Sequence, residues 1–208
     1  MNFKLPKIYP ITDTLISGIS HAEQVERLVA GGAEIIQLRE KRSSPNEFYE
    51  AAKIAVDIAR HHKVKIIIND RVDIALALKA DGVHLGQDDL PPTCARAILG
   101  ENAIIGFSTH SIEQALEALE MPIDYVAFGP IFGTQTKEDP NATVGIEGLK
   151  LIRDAISDFP LVAIGGINAN NLVSVMNAGA DSAAVISAII SDFSPIEDRM
   201  RTFLTLAG

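Results

Sequence analysis

Cysteine and basic residues are both scarce in this chain, and each shortage excludes a class of protein. Cys94 is the only cysteine, so the chain cannot form an internal disulfide, which fits a reducing compartment. Asp and Glu number 27 against 18 Lys and Arg, and the formal net charge is -9. Nucleic-acid binding needs a basic surface, so we expect no nucleic-acid partner.

Long apolar segments are missing as well. No apolar run reaches the ~18 residues that a membrane-spanning helix needs. The first residues also lack the charged and then apolar pattern of a secretion signal. We therefore expect a cytoplasmic protein that does not associate with a membrane. Of the 208 residues 47% are hydrophobic, which predicts one domain with a large core over residues 1–208.

The chain does contain a repeated alternation of short apolar runs and helical patterns. A first strand is predicted at residues 7–11, a helix with Ser20 as its N-cap at residues 21–30, and a long helix at residues 45–62. Over the whole chain the alternation gives eight strands at a spacing of about 25 residues. Eight such units predict a (β/α)8 TIM barrel of the α/β class. An open doubly wound sheet is less favoured, because no G-x-G-x-x-G follows the first strand.

Polar side chains cluster at the predicted carboxyl ends of the strands. They follow the second to sixth strands at residues 37–41, 69–70, 87–89, 108–110 and, within a long loop from residue 129 to about 145, at 134–137. The opposite strand ends carry few such groups, and we interpret Lys65 and Asp124 there as ordinary surface charges. Because the carboxyl ends of barrel strands converge on one face, the asymmetry predicts an enzyme site at that face.

Two carboxylates, Asp70 and Asp89, are predicted to come from adjacent strands of this face. Paired oxygen ligands with room for water suit Mg²⁺, particularly when substrate phosphates supply further oxygens. Spacing alone does not separate Asp89 from its neighbour Asp88. The alternative is that Asp70 and Asp89 are only helix N-caps, a position at which aspartate is common.

Three cations, Arg39, Lys41 and Lys137, are predicted near the same mouth of the barrel. Arginine offers two parallel hydrogen bonds and lysine a point charge, and both suit a diphosphate. One alternative is that the cations are solvated and pair with the acidic residues Glu40, Glu138 and Asp139. Another is a Schiff base at Lys137.

Glycines and histidines near the strand ends allow two interpretations each. Gly165-Gly166 after the seventh strand and Ser187 after the eighth match the usual phosphate-binding position of this barrel, and the alternative is a tight turn. His84 lies within the fourth strand and His110 just after the fifth. For both histidines we favour structural roles, in the core for His84 and as a helix cap for His110, which could also reach the site.

The chain resembles the thiamine-phosphate synthase family. The resemblance rests on runs that occur in the family's order along almost the whole chain, at residues 9–13, 37–41, 68–70, 82–89, 129–132 with 134–137, and 163–167. Any one of these runs alone is a weak signal, whereas together they are highly specific.

The resemblance implies a reaction between two phosphorylated small molecules. A hydroxymethylpyrimidine diphosphate would couple with a hydroxyethylthiazole phosphate to give thiamine phosphate and pyrophosphate. Pyrophosphate would leave first, assisted by Mg²⁺, and the thiazole nitrogen would capture the remaining pyrimidine carbocation. Arg39, Lys41 and Lys137 would be the catalytic residues, because they stabilise the departing pyrophosphate.

The resemblance also assigns binding residues position by position. The ligands of Mg²⁺ would be Asp70 and Asp89. The pyrimidine diphosphate would be bound by Gln37, Leu38, Arg39, Glu40, Lys41, Asn69, Ser108 and Lys137. The thiazole phosphate would be bound by Thr134, Gln135, Thr136, Gly166, Ile186 and Ser187.

Two alternatives keep the fold and change the function. A thiazole tautomerase of the same fold would use His110 as a proton shuttle and need no metal, but the full polar run at residues 37–41 favours the synthase. A non-catalytic protein would bind a phosphorylated ligand and form no product. The sequence leaves the oligomeric state open, and a homo-oligomer formed through the outer helices is compatible with it.

Overall fold

Eight parallel strands form a closed barrel in the computed structural model, which describes residues 4–134, 142–191 and 195–208. The strands are β1 (Ile8–Thr12), β2 (Ile35–Leu38), β3 (Lys65–Asn69), β4 (Gly82–Leu85), β5 (Ile104–Thr109), β6 (Tyr125–Phe128), β7 (Leu161–Ile164) and β8 (Ser182–Val185). Each strand pairs with the next along the chain, and β8 closes the barrel against β1. The predicted (β/α)8 barrel is confirmed.

Helices surround the barrel and follow the strands in the predicted order. They are α1 (Thr14–Ser17), α2 (His21–Ala30), α3 (Pro45–His61), α4 (Val72–Leu78), α5 (Pro92–Leu99), α6 (Ile112–Ala118), α7 (Gly145–Ile156), α8 (Leu172–Asn177), α9 (Ser187–Ile190) and α10 (Ile196–Ala207). The capping box predicted for α2 is present, with Ser20 and Glu23 hydrogen bonded to each other's backbone N–H. Helices α1 and α9 were not predicted, because four residues are too few to show a helical period. In the described part of the chain no helix has the length and hydropathy needed to cross a bilayer.

The strands are buried on both faces, which explains their continuous apolar runs. In β3, Ile67 belongs to the cluster inside the barrel, whereas Ile66 and Ile68 belong to the cluster between the strands and the helices. All three side chains are at most 1% exposed. Such packing fixes the register of each strand, because a shift by one residue would exchange the inner and outer side chains.

The amino-terminal ends of the strands are tied together by carboxylates. Asp124 accepts hydrogen bonds from the backbone N–H of Ile105 at 2.8 Å and from the Arg96 guanidinium at 2.8 Å. The interpretation of Asp124 as an ordinary surface charge is therefore wrong. The same arrangement recurs two strands earlier and two strands later, where Asp81 accepts from Ile66 N at 2.8 Å and Asp181 accepts from Leu161 N at 2.9 Å.

We expect Asp124→Ala to lower the free energy of unfolding by about 1–3 kcal/mol, because the Ile105 N–H and the Arg96 guanidinium lose their shared acceptor. Urea unfolding followed by circular dichroism measures the difference. The matched control is Asp158→Ala. It removes an exposed carboxylate from the connection between α7 and β7, at the same end of the barrel as Asp124. Equal losses in the two variants would contradict the role given to Asp124.

Candidate active site

The connection after β2 is shaped by Glu40, which lies at the carboxyl end of the barrel. Its Oε1 accepts hydrogen bonds from the backbone N–H groups of Lys41 at 2.8 Å, Arg42 at 2.8 Å and Ser43 at 3.3 Å. Its Oε2 accepts from the Thr14 hydroxyl at 3.1 Å. Burial alone would raise the pKa of Glu40, but these hydrogen bonds outweigh it and lower the pKa below the ordinary value. Glu40 is thus an ionised carboxylate that folds the loop carrying Lys41.

Arg39 is held at the rim by Asp13, the residue that follows β1. The Arg39 guanidinium bonds to Asp13 Oδ2, and the other oxygen of Asp13 accepts from Leu15 N at 3.0 Å and Ile16 N at 3.1 Å at the start of α1. The pairing of Arg39 with Glu40 considered from the sequence is not seen. Asp13 belongs to the run at residues 9–13, but no role was predicted for it, since its partner is 26 residues away.

Asp70 occupies a backbone conformation that few residues adopt. Its φ is +60°, in the left-handed region that aspartate tolerates better than most side chains. The N-cap of α4 is Arg71, without a side-chain capping bond, so the N-cap alternative for Asp70 is wrong. The Asp70 carboxylate instead bonds to the Lys41 ammonium across the mouth of the barrel.

Asp89 faces Asp70 across the same mouth. Its Oδ2 accepts from Gly86 N at 2.7 Å, and α5 begins only at Pro92, so Asp89 is not an N-cap either. Burial raises the pKa of Asp89, as do the charge of Asp70 and a side-chain contact with it, and these outweigh the Gly86 hydrogen bond. Asp88 is exposed. Of the two neighbouring aspartates, Asp89 is the one that meets Asp70.

The donor set at this point fits a small oxygen-seeking cation. Asp70 and Asp89 offer two adjacent carboxylates, and Lys41 lowers their mutual repulsion. Among the described residues there is no group of three or more His, Cys, Asp and Glu that could hold a metal ion. A cation at Asp70 and Asp89 would therefore need oxygens from water or from a ligand, as Mg²⁺ in phosphate-binding sites does.

Asn69 has an unpaired donor beside this pair of carboxylates. The residue is only 7% exposed, and its Nδ2 has no hydrogen-bond partner in the described structure. A buried amide without a partner costs about 1–3 kcal/mol, a cost that a hydrogen bond to a water molecule or a ligand would offset. The amide lies one residue before Asp70, at the end of β3.

A chain of hydrogen bonds crosses the interior of the barrel below the rim. Gln37 Nε2 donates to Tyr9 OH at 3.1 Å, Tyr9 OH lies 3.0 Å from Tyr125 OH, and His84 Nδ1 lies 3.0 Å from Tyr125 OH. His84 Nε2 is 2.8 Å from Ser108 Oγ at the rim. Burial lowers the pKa of His84 to about 4 and raises the pKa of both tyrosines, so the whole network is neutral at pH 7. The structural role expected for His84 includes contact with a predicted site residue.

Other predicted residues differ in how they reach the mouth. The Leu38 side chain packs in the outer cluster, so only its backbone can face a ligand in the barrel. His110 does not cap α6, whose N-cap is Ser111; its Nδ1 donates to the carbonyl of Gly129 at 2.6 Å. Gln135, Thr136 and Lys137 lie outside the described residues.

The connections after β6, β7 and β8 come together on the same side. Gly165 and Gly166 have φ of +103° and +63°, and Cβ atoms there would lie 2.5 Å from Pro130 Cβ and 2.6 Å from Gly133 O. The tight turn expected as an alternative for the two glycines is thus present, packed against the β6 connection that leads to Thr134. Ile186, directly after β8, is the N-cap of the short helix α9, and Ser187 is its first residue.

Comparisons with known proteins show which family the chain belongs to. The family model described as thiamine monophosphate synthase matches residues 8–189. A thiamine-phosphate synthase from Syntrophomonas wolfei is 47% identical over 195 residues, 93% of this chain and 92% of the relative. One from Chloroflexus aurantiacus is 46% identical over 186 residues, 89% of this chain and 85% of the relative.

A solved structure gives the same result for the fold. The thiamine phosphate pyrophosphorylase from Pyrococcus furiosus superposes with a TM-score of 0.87 at 37% identity, covering 97% of this chain and 95% of that one. These matches extend across all the strands that carry the candidate site. The chain therefore belongs to the thiamine monophosphate synthase family of transferases.

Proposed function

We propose that this protein couples hydroxymethylpyrimidine diphosphate to hydroxyethylthiazole phosphate and releases thiamine phosphate and pyrophosphate. The observation that carries the proposal is the meeting of Asp70, Asp89 and Lys41 at one barrel mouth, in a chain of this family. The carboxylate pair suits a metal ion and the cations suit the diphosphate, so the departing group has a site of matching charge.

The diphosphate would bind to Arg39 and Lys41. In the ligand-free state each of these cations is held by a carboxylate, Asp13 or Asp70, which keeps the side chain oriented at low entropic cost. The Asn69 amide, which lacks a partner, and the Ser108 hydroxyl would donate to the same ligand. Lys137 is assigned a third positive charge by the family pattern alone.

Asp70 and Asp89 would hold Mg²⁺. When bound, the ion would neutralise the negative charge of pyrophosphate and so make it a better leaving group. Lys41, which bonds to Asp70 in this structure, would bind a diphosphate oxygen when Asp70 holds the ion. The carboxylate pair and Lys41 would therefore act together.

The bond changes need no general base. Cleavage of the C–O bond leaves the electron pair on pyrophosphate, and a lone pair of the thiazole nitrogen then forms the new C–N bond to the pyrimidine carbocation. The protein's task is to stabilise charge and to keep the two substrates in contact. The thiazole phosphate would lie at Thr134, Gly166, Ile186 and Ser187, with Gln135 and Thr136 added from the family pattern.

Incubation of the protein with both substrates and Mg²⁺ should yield thiamine phosphate and pyrophosphate, detected by mass spectrometry. Asp70→Asn should lower kcat/KM about 100-fold, because it removes a charge that binds the metal. Asparagine tolerates the positive φ of Asp70, so the fold is retained. The control is Asp88→Asn, at an exposed neighbour of Asp89, which should stay near wild type. Activity that resists EDTA and depends on His110 would indicate a tautomerase instead, and ligand binding without product a non-catalytic protein.

Metal binding can also be measured without turnover. Mg²⁺ and inorganic pyrophosphate added together should raise the melting temperature by more than the sum of their separate effects, because each supplies ligands or charge for the other. At ten times Kd the expected stabilisation is about 1.4 kcal/mol, or roughly 3–6 °C for a chain of this size. Asp88→Asn should keep the combined shift and Asp70→Asn should lose it. Equal shifts of the melting temperature in both variants would show that Asp70 does not bind the metal.

A further inference from the structure

The rings of His84 and Tyr125 meet inside the barrel because the strand between them carries a glycine. In the strand register His84 of β4 pairs with Gly106 of β5, and Gly106 pairs with Tyr125 of β6. A Cβ at Gly106 would lie 2.0 Å from Tyr125 Cζ and 2.3 Å from its hydroxyl oxygen. The two rings are stacked, with centroids 5.6 Å apart and planes at 18°. Gly106 thus provides the space in which the Tyr125 hydroxyl reaches His84.

One arrangement of the hydrogens in this network gives every donor an acceptor. Gln37 Nε2 can only donate, so Tyr9 OH accepts from it, and the buried proton of Tyr9 is paired when it is donated to Tyr125 OH. In this arrangement Tyr125 OH donates to His84 Nδ1, so Nδ1 is the unprotonated nitrogen. A neutral imidazole has one proton, and here that proton is on Nε2.

We propose that His84 is a positioning residue that donates from Nε2 to Ser108 Oγ and thereby fixes the Ser108 hydroxyl as a hydrogen-bond donor toward the diphosphate substrate. The distance from Nε2 to Oγ is 2.8 Å. Because the oxygen of Ser108 already accepts there, its own proton is directed away from the core. Gln87 Nε2 donates to the backbone carbonyl of Ser108 at 2.7 Å and holds the same residue from the rim.

A Ser108 hydroxyl fixed in this way would make the rim selective for ligand atoms that only accept hydrogen bonds. A hydroxyl that is fixed as a donor favours an oxygen that can only accept, such as a phosphate oxygen. The polar network itself costs little, since every hydroxyl and nitrogen in it is paired. The inference rests on the proposed function for the identity of the ligand, but not for the direction of the hydrogen bonds.

The first test is the tautomer of His84 in the ligand-free protein. Multiple-bond ¹H–¹⁵N NMR distinguishes the two neutral forms of a histidine by the shifts of its ring nitrogens. We expect the proton on Nε2 in the wild type and a loss of that fixed tautomer in Tyr125→Phe. A proton on Nδ1 in the wild type would reverse the network and overturn the proposal.

The second test measures Kd for hydroxymethylpyrimidine diphosphate with Mg²⁺ by calorimetry. His84→Asn, whose amide reaches only the position of Nδ1, should weaken binding about 10-fold. His84→Gln, whose amide reaches the position of Nε2, should restore binding to within about 3-fold of wild type. A role confined to packing predicts no such difference between the two amides.

A double-mutant cycle with Ser108→Ala completes the design. If His84 acts through the Ser108 hydroxyl, His84→Asn should weaken binding less than about 2-fold further in the Ser108→Ala background. Additive losses would overturn the proposal. Because Kd needs no turnover, a coupled cycle without thiamine phosphate formation would overturn the proposed function alone. A wild type that does not bind the diphosphate would overturn both.

Discussion

The closeness of two carboxylates, Asp70 and Asp89, is the constraint on which the mouth of this barrel depends. In a chain of net charge -9 the two groups repel each other, and the pKa of Asp89 is raised by burial and by Asp70. Lys41 stabilises the pair in the ligand-free state through its bond to Asp70. The loop that presents Lys41 is in turn held by Glu40, whose Oε1 accepts three successive backbone N–H groups. The conformation of the loop after β2 therefore places a positive charge next to the carboxylates that follow β3 and β4.

Strand register carries this arrangement. Asn69 pairs with His84 across β3 and β4, and the next N–H, that of Asp70, donates to the carbonyl of His84 at 2.8 Å. The ladder thus continues one residue beyond β3 before the chain turns through the positive φ of Asp70. A shift of one residue would move the Asp70 side chain to the other face of the sheet and separate it from Asp89. The buried isoleucines of β3 are what prevent this shift.

The sequence was sufficient for those features that depend on neighbours along the chain. The bounds of α2 match the prediction, and most strands agree within a residue, because apolar periods and caps are local signals. The contact of Arg39 with Asp13 was missed, since it joins two loops whose approach is set by barrel closure. Asp124 was misjudged for the same reason, because the two donors to its carboxylate, Ile105 N–H and the Arg96 guanidinium, lie 19 and 28 residues away. The role of Gly106 depends on registers across three strands, which no periodicity contains.

The polar groups at the two ends of the barrel differ in their partners. At the amino-terminal end Asp81, Asp124 and Asp181 each accept a backbone N–H from a neighbouring strand, so these charges stabilise the closed barrel. At the carboxyl end Asp70 and Asp89 face each other, and Asn69 Nδ2 has no hydrogen-bond partner among the described residues, so these polar groups are the ones that the proposed function assigns to a ligand. Under the proposed function, binding of a cation and an anionic group would offset the repulsion between the two carboxylates. The hydrogen bonds at the amino-terminal end stabilise the closed barrel without using the side chains that the proposed function assigns to the substrates.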